Sequence, residues 1–526
     1  MPLINQDGRD VTAETLQSIH KMIHDTGVGP EGGPEDLRKA AGTVTLANNL
    51  VAYDLEAPAK NLYPVQTPLR NRIPRETKSS GAGTAAHWKE VSAIKGGSAL
   101  PFMGWVPEGR RAPRMEITTA DRSASYVTFG LESDVTFEAQ SAAAGFEDEL
   151  AASGMRLLQQ TMIIEENALL GANCNVALGT TATPTLSASG SNATLPAATY
   201  SVRAFALTHE GYLMASITGG IKRLEAVTSM DNRGTYNLCG GSSAAGAAAT
   251  QAVTLGQTLF ASIPAIKGAV AYAWYVGTAG NEKLEAITTI NSAAFSEPLL
   301  GTGQPLSDIT DPTVDRSFND GSSNGSQAAA FNGLLYAAWK SPLAYYKVMP
   351  TGTAGTGTTL TASGRGTVTE IDEVLRSYWD LYKISPDEIY VSAQELTTIY
   401  KLCFVNGSNP FIRFNINPGQ SVSEFTAGAI IGTYVNPYSL DGGQSIPIRL
   451  HPNMAPGTIL FWCQDLPAHY QSANVPQVAK VQCRRDYYQI PWPIIARTNE
   501  TGVYVEEVLK VYAPFALATI TNIAPA

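Results

Sequence analysis

Hydrophobic and polar positions alternate in two stretches of the first 140 residues, as they do in β-strands. Residues 84–95 (TAAHWKEVSAIK) form one stretch, and residues 115–137 form one long strand or two in succession. The segment between them is rich in Gly and Pro and carries Phe102, Met103 and Trp105. The pattern predicts a long hairpin with apolar side chains at its tip. Because an isolated hairpin is only marginally stable, we expect it to rest on another surface.

Helical spacing marks three segments. Residues 10–26 predict a short helix and residues 145–170 a long one, with acids in its first turn and Gly171 to end it. The apolar side of the long helix consists of Phe146, Leu150, Leu157, Leu158, Met162 and Leu169. A third helix, up to residue 382, has the most regular apolar spacing and a predicted capping box of Thr367 and Glu370.

The segment 61–78 (NLYPVQTPLRNRIPRETK) fits neither period. Its three prolines, at positions 64, 68 and 74, argue against a helix and against a central strand. Its apolar residues are nevertheless too many for a solvated linker. The sequence therefore predicts an extended arm over residues 43–75 that needs a surface to cover it.

Composition changes at about residue 176, where some 135 residues rich in Ala, Thr, Ser and Gly begin. The run AVAYAWYVG places Val270, Tyr272, Trp274 and Val276 on one face and Ala269, Ala271 and Ala273 on the other. A partner strand, KLEAITTI, follows after a short turn. These features predict a small antiparallel sandwich of immunoglobulin or fibronectin type, inserted over residues 176–318.

Bulk composition restricts the class of protein. The chain has 526 residues, so two to four domains are expected, and it is 44% hydrophobic but only 16% charged, with 47 Gly and 31 Pro. This predicts a β-rich chain whose surface is largely covered by something else. The net charge of −10 argues against a sequence-reading nucleic-acid binder.

Targeting signals and cysteines point to a cytoplasmic protein. The start MPLINQDGRD lacks a signal-peptide pattern, and no apolar run approaches the roughly 20 residues that span a bilayer. The five cysteines are scattered and never in C-x-x-C spacing, which favours reduced thiols over a zinc site.

Catalytic motifs are weak. GSSNG, around Ser323, lies in a polar loop without the strand and helix of a nucleophile elbow, and HEGYL at 209 lacks the second histidine of a zinc motif. The glycines of 352–366 favour a flexible connector. Tyr487 and Tyr488 beside Arg484 and Arg485 could stack on bases, but a strand surface is favoured. The sequence therefore predicts no enzyme, no cofactor and no metal site.

The order of these features resembles the major capsid protein of tailed bacteriophages, the Hong Kong-phage fold. The segments that carry the resemblance are the proline-rich arm, the hairpin that begins at GTAAHWKEVSAIKGG, the helix 145–170 and GTVTEIDEVLRSYWDLYKISPDEIYVSAQELTTIYKL. Together with the inserted domain, the resemblance implies an α+β fold that consists of an N-arm, an E-loop, and peripheral and axial domains.

The resemblance implies specific domain boundaries. They are an N-terminal arm at 1–75, an E-loop hairpin at 76–126, a peripheral domain with its spine helix at 127–175, the inserted β-sandwich at 176–318, a return to the peripheral domain at 319–345, an axial domain at 346–468 and C-terminal peripheral strands at 469–526.

The implied function is structural. A member of this family would form hexamers and pentamers of an icosahedral shell around double-stranded DNA, without reading its sequence, and would reside in the virion after assembly in the host cytoplasm. Scaffolding, portal and possibly decoration proteins would be its partners. The alternative is a phage or cell-surface adhesin or tail protein with an immunoglobulin-like module, and an enzyme with an unrecognised site comes third.

Charge is separated along the chain. Residues 70–114 carry nine basic groups and three acids, a net of +6, whereas residues 131–166 carry eight acids and Arg156, a net of −7. In the implied family the hairpin lies over the neighbouring subunit's spine helix. The separation therefore predicts that the two segments meet between subunits, where they would steer assembly.

Overall fold

The structure is a computed structural model that describes most of the chain. The described ranges are 53–54, 67–78, 83–96, 105–112, 115–143, 148–229, 234–363, 366–405, 432–439, 443–466, 477–494 and 496–526. The helix predicted at residues 10–26 lies outside them, as do Phe102, Met103 and most of the arm.

Helices and strands alternate irregularly along the described chain. The helices are α1 Pro68–Arg72, α2 Phe137–Ala143, α3 Glu149–Gly171, α4 His209–Met214, α5 Leu334–Lys340, α6 Thr369–Tyr382 and α7 Ala393–Val405. The strands are β1 Tyr53–Asp54, β2 Arg75–Thr77, β3 Ala85–Gly96, β4 Met115–Ser125, β5 Val127–Thr136, β6 Thr185–Ser189, β7 Ala198–Leu207, β8 Glu225–Thr228, β9 Thr235–Leu238, β10 Ala249–Val253, β11 Thr258–Ser262, β12 Ala271–Gly277, β13 Lys283–Thr288, β14 Ser292–Phe295, β15 Tyr345–Val348, β16 Glu388–Val391, β17 Thr433–Asn436, β18 Gln444–Leu450, β19 Ile459–Trp462, β20 Ala479–Pro491, β21 Thr498–Val511 and β22 Leu517–Thr521.

The chain divides into two compact units. Unit 1 comprises Met1–Leu170, Ser229–Arg233 and Ala479–Tyr512, and unit 2 comprises Gly171–Thr228, Gly234–Val478 and Ala513–Ala526. Most of the predicted insertion and of the predicted axial domain therefore fall within unit 2. The finer boundaries stay a prediction.

Unit 1 is built on a sheet of strand order β1-β20-β21-β5, with β2 also paired to β20. Helix α3 packs on one face through a core of Leu157, Leu158, Met162, Tyr487, Val503 and Val505. The predicted apolar side of the helix is confirmed at three of these positions. The helix begins later than predicted, because the Asp148 carboxylate caps it by accepting hydrogen bonds from the N–H groups of Leu150 and Ala151.

The prediction that the proline-rich segment contains no helix is wrong over residues 68–72. Pro68 occupies the first turn of α1, where a missing N–H group costs nothing. The next two N–H groups, of Leu69 and Arg70, donate to the Glu166 carboxylate of α3 at 2.9 and 2.8 Å. A tertiary contact therefore provides the N-terminal cap of this five-residue helix. Residues 75–77 then pair with β20 as a parallel edge strand.

Two antiparallel sheets of unit 2 share one core. Their strand orders are β10-β7-β12-β13 and β14-β11-β6. Tyr272, Trp274 and Val276 lie in the shared core, whereas Ala271 and Ala273 lie in a second cluster on the opposite face of β12. The predicted alternation and hairpin are thus confirmed within the strand. Ala269, which precedes the strand, is on the side of Trp274 and was assigned to the wrong face.

Unit 2 also contains a two-stranded antiparallel sheet, β8-β9, and a mixed sheet with strand order β15-β22-β19-β16-β18-β17. Helix α6 buries Ile371, Val374, Leu375 and Tyr378 as predicted, but the predicted capping box is wrong. Instead, Thr367 donates to Asp372, and Glu370 accepts from the backbone N–H of Thr361.

The Gly/Thr-rich loop before α6 is packed and is not a free connector. Leu360 is buried, and the N–H of Gly355 donates to Ser292. Gly352, Gly355 and Gly357 have φ values of 60°, 81° and 74°, so glycine allows the tight turns that bring this backbone into contact.

Two further findings concern membrane-spanning helices and cysteines. No helix in the described ranges has the length and apolar character needed to cross a bilayer. All five cysteines are free thiols, of which Cys463 and Cys483 are buried and the others half-buried.

Candidate functional site

Unit 1 contains a buried ion cluster at the place where the arm, the helix and the sheet meet. Its members are Arg70 of α1, Arg75 of β2, Glu165 and Glu166 of α3, Asp486 and Tyr487 of β20, and Glu507 of β21. The cluster joins residues up to 432 positions apart in sequence. The charged side chains that form its ion pairs are 0–1% exposed, whereas charged side chains are usually exposed.

Arg75 is the centre of the buried ion cluster. Its Nη2 atom lies 2.6 Å from Asp486 Oδ1 and 2.9 Å from Glu507 Oε2, and its Nη1 atom pairs with Glu165. The Arg75 side chain is 1% exposed, and those of its three acidic partners are fully buried. One guanidinium group therefore ties β2 to α3 and to both central strands of the sheet.

Arg70 adds a second cation. Its Nε atom lies 2.6 Å from Glu165 Oε2, and its guanidinium carbon lies 4.9 Å from the ring centre of Tyr487. The Tyr487 hydroxyl donates to the same carboxylate. Glu165 is thus contacted by two arginines and a phenol, which leaves it well compensated despite complete burial.

The electrostatics follow from burial and charge. Burial alone would lower the pKa of Arg75, but the carboxylates of Glu165, Glu507 and Asp486 together raise it well above its ordinary value. Burial would raise the pKa of Glu165, yet the two arginines hold it below its ordinary value. For Glu507, burial and then the charge of Glu165 raise the pKa well above 4.5.

This arrangement corrects the predicted charge pairing between subunits. Arg70 and Arg75, from the basic segment, pair with Glu165, from the acidic segment, inside one chain. A sequence signal for this existed, because Glu165 and Glu166 follow Met162 at the three- and four-residue spacing of the helix's buried side. What remains for contacts between subunits is a smaller set that includes Arg110, Arg111 and Glu149, all at least partly exposed.

The second feature of unit 1 is the long hairpin, and its prediction is confirmed. Strands β3 and β4 pair from Ala85 with Ser125 to Gly96 with Met115, interrupted by a bulge after Val91. They form a two-stranded sheet of their own. At the root of the hairpin, the Trp88 indole N–H donates to the Val511 carbonyl at 3.0 Å.

The hairpin tip is exposed in its described part, residues 105–112. Trp105 is 92% exposed, and Val106 beside it is also exposed. A turn follows in which the N–H of Arg110 donates to the Pro107 carbonyl at 3.1 Å, and Gly109 supplies the required φ of 75°. Arg110 and Arg111 are exposed on the same turn. The tip thus presents an aromatic and two guanidinium groups, the residue types enriched in protein–protein hot spots.

The other sequence candidates lie elsewhere and do not converge. Ser323 donates to Asp320 at 2.5 Å within a turn, and no strand directly precedes it and no helix directly follows it in this described stretch. Tyr487 and Tyr488 belong to β20, which confirms the predicted strand, but their side chains are buried and do not form its surface. In the part of the chain that the structure describes, no three His, Cys, Asp or Glu side chains are grouped to hold a metal ion.

Comparison with known sequences is uninformative. No protein-family model matches the chain. No curated protein matches it either.

Solved structures similar to the chain include shell proteins. The capsid of Myoviridae phage XM1 is 8% identical with a TM-score of 0.36 and covers 87% of this chain and 92% of its own. The satellite phage P4 procapsid is 9% identical, with a TM-score of 0.36 and coverage of 89% and 90%. The SrpI encapsulin complex of Synechococcus elongatus is 10% identical, with a TM-score of 0.32 and coverage of 88% and 89%. These likenesses are loose, so a functional assignment has to come from the protein's own residues.

Proposed function

We propose that the protein is the structural subunit of a closed shell, namely the major capsid protein of a tailed bacteriophage. The observation that carries this proposal is the exposed hairpin of unit 1. Strands of 12 and 11 residues form a two-stranded sheet of their own and end in a tip whose Trp105 is 92% exposed. A two-stranded ribbon is marginally stable in water, so a partner surface accounts for its length.

The partner is a second copy of the chain. The tip combines Trp105 with Arg110 and Arg111, a combination suited to a surface with an apolar pocket beside acidic groups. Acidic side chains are available on unit 1, where Asp134 and Glu138 are exposed along and after β5. Because every copy carries both the tip and these acids, the contact can repeat from subunit to subunit.

The order of elements supports the same proposal. An arm, a hairpin, a long helix packed on a sheet, and a second compact unit follow one another as in the family that the sequence resembles. In that arrangement the subunits form hexamers and pentamers around double-stranded DNA. Scaffolding, portal and decoration proteins would act with the shell, and the protein would reside in the virion after assembly in the host cytoplasm.

The proposal is tested at the hairpin tip. Trp105→Ser should abolish or strongly reduce assembly of the full chain, measured by sedimentation velocity, without changing its circular dichroism spectrum. Leu255→Ser is the matched control, since Leu255 is a 76% exposed apolar side chain in unit 2 and should be neutral. Equal assembly of the wild type and the Trp105→Ser variant would contradict the proposed role of the tip.

One observation favours a second candidate function. The two sheets of unit 2 share a core of the kind found in adhesion modules. An adhesin or tail protein would use this part of the chain as a receptor-binding module, and its hairpin would not drive assembly into shells. A purified chain that stays monomeric at high concentration would favour this alternative.

A further inference from the structure

The buried ion cluster has more acids than bases. Two guanidinium groups, of Arg70 and Arg75, form ion pairs with three carboxyl groups, of Glu165, Asp486 and Glu507. If all five groups were ionised, one negative charge would remain uncompensated in a place shielded from water. Such an excess is costly at low dielectric, and a carboxyl group there takes up a proton instead.

The contacts identify which carboxyl group is least compensated. Glu166 accepts two backbone N–H groups, and Glu165 is contacted by two arginines and Tyr487. The Asp486 carboxylate accepts hydrogen bonds from both Nε and Nη2 of Arg75, at 3.3 and 2.6 Å.

Glu507 has fewer donors than the other three acids. Its Oε2 atom shares the Arg75 Nη2 group with Asp486 and lies 3.8 Å from the Cys483 thiol. Its Oε1 atom has no hydrogen-bond partner in the structure as described and is buried. Glu507 is therefore the carboxyl group whose protonation requires the least free energy.

The segment that brings in both cations is anchored by this cluster and by the pairing of β2 with β20. Residues 67–77, here called the latch, comprise a five-residue helix and a three-residue edge strand. A helix this short is not stable alone. Two apolar side chains of the latch, Leu69 and Ile73, are also buried, at 0% and 2% exposure. When the latch leaves, the cluster loses both arginines, and water reaches the carboxyl groups.

We propose that residues 67–77 form a proton-coupled latch, which takes up one proton onto Glu507 when it closes and loosens as the pH rises. The groups that face Glu507 are Arg70 on α1, Arg75 on β2, Glu165 on α3, and Cys483, Asp486 and Tyr487 on β20. This proposal does not depend on the assembly of a shell. It would hold for an isolated subunit.

The direction of the pH dependence follows from linkage. The pKa of Glu507 is raised by burial and by Glu165 while the latch is closed, and returns toward 4.5 when water enters. Between those two pKa values the closed state binds one more proton than the open state. The closing equilibrium constant therefore falls about tenfold per pH unit in that window.

Hydrogen–deuterium exchange of the full chain tests the latch. Protection of the backbone amides of Leu69, Arg70 and Ile73, corrected for intrinsic exchange, should fall about tenfold per unit as the pH rises from the ordinary glutamate pKa of 4.5 toward the raised pKa of Glu507 in the closed state. In Glu507→Gln, whose side chain is neutral at every pH and similar in size, protection should be independent of pH. Amides of β21 that pair with β5 serve as the internal control and should not respond.

A second variant and a second readout keep the test decisive if Glu507→Gln fails to fold. Asp486→Asn removes one competing charge, so Glu507 should ionise and the pH dependence should disappear. The infrared difference between the wild type and Asp486→Asn should show the carbonyl band of one protonated buried carboxylic acid. Glu210, whose pKa is raised by burial to about 7, is present in both proteins and cancels in this difference. Latch protection that is flat or rises with pH, or the absence of that band, would overturn the proposal.

Discussion

Arg75 shows how one residue can hold three elements together. Its guanidinium contacts Glu165 on α3, Asp486 on β20 and Glu507 on β21, and water is excluded from all four side chains. A buried ion pair adds little stability relative to a well-packed apolar pair, but removing one partner leaves uncompensated charge. Arg75 is therefore more important as the counter-ion of its neighbours than as a source of net stability.

This predicts that Arg75→Leu lowers the free energy of unfolding by about 3–5 kcal/mol, because three acids lose their shared cation. The matched control is Lys89→Met. Lys89 lies 4.0 Å from Asp121, and the two side chains are 73% and 85% exposed, so the change should cost about 0–1 kcal/mol. Urea unfolding followed by circular dichroism measures both variants. Similar costs for the two would contradict the account of the cluster.

His209 is a second residue whose burial has a measurable consequence. It is fully buried in unit 2, its Nε2–H donates to the Asn453 carbonyl at 2.8 Å, and its Nδ1 atom has no partner among the described residues. Gly171 packs so closely that a Cβ atom there would lie 2.5 Å from the imidazole ring. Burial lowers the pKa of His209 from 6.5 to about 4.

The sign of the resulting pH dependence is fixed. As the pH falls from 6.5 toward 4, His209 binds a proton in the unfolded chain but not in the folded chain. The free energy of unfolding therefore falls by about 3 kcal/mol over this window. His209→Gln, which keeps a donor for the Asn453 carbonyl, should remove this part of the acid destabilisation. His87→Gln, on the exposed hairpin, should leave it intact. Chemical unfolding at several pH values gives the slope, and equal slopes for wild type and His209→Gln would contradict the assignment.

At the residue scale, local periodicity predicted the apolar core but not the buried charges. Leu157, Leu158 and Met162 were predicted on the inner side of α3 and lie there, because helical spacing alone determines which side chains share a face. The pairing of Arg70 with Glu165 was not predictable in this way. The two residues are 95 positions apart, and a charged residue is normally expected on the surface.

At the element scale, α1 shows why a prediction from neighbouring residues alone was wrong. Its prolines argue against a helix, and no side chain within the segment caps it. The missing cap is Glu166, which a local window cannot include. The long hairpin, by contrast, was predicted correctly, since alternation and turn residues are local signals. Elements defined by their own sequence were predictable, whereas one stabilised by a distant carboxylate was not.

Truncation separates the arm from the latch. Deleting residues 1–66 removes no member of the buried ion cluster, so unit 1 should keep its fold. Deleting residues 1–77 removes Arg70 and Arg75 together with the buried side chains of Leu69 and Ile73, so unit 1 should unfold or aggregate. Limited proteolysis with mass spectrometry distinguishes the two, with protection of β20 and β21 as the readout. Equal protection in both truncations would contradict the role of the latch.

At the scale of the whole molecule, most of the predicted insertion and of the predicted axial domain lie in one compact unit. The proposed insertion 176–318 has its own core between two sheets, and all the described residues of that core lie within the insertion. It also bonds to the rest of unit 2, where buried Asn291 and Asn522 exchange hydrogen bonds of 2.8 and 3.1 Å. The compositional boundary was visible in sequence. These contacts across it were not.

The core of the insertion predicts that residues 176–318 fold alone. The fragment should show a cooperative unfolding transition with a β-type circular dichroism spectrum. Its stability should be lower than in the full chain, because Asn291 then loses its bonds to Asn522 and Thr351. A fragment without a cooperative transition would show that the two sheets depend on the remainder of unit 2.

The proposed function requires that copies of this chain assemble with one another into shells. Cryo-electron microscopy can show this for the purified full chain, expressed alone and together with candidate scaffolding proteins. We expect closed shells, tubes, or hexamers and pentamers, in which the hairpin tip with Trp105 lies on a neighbouring subunit. A compact monomer under all these conditions, or assemblies in which Trp105 remains in solvent, would contradict it.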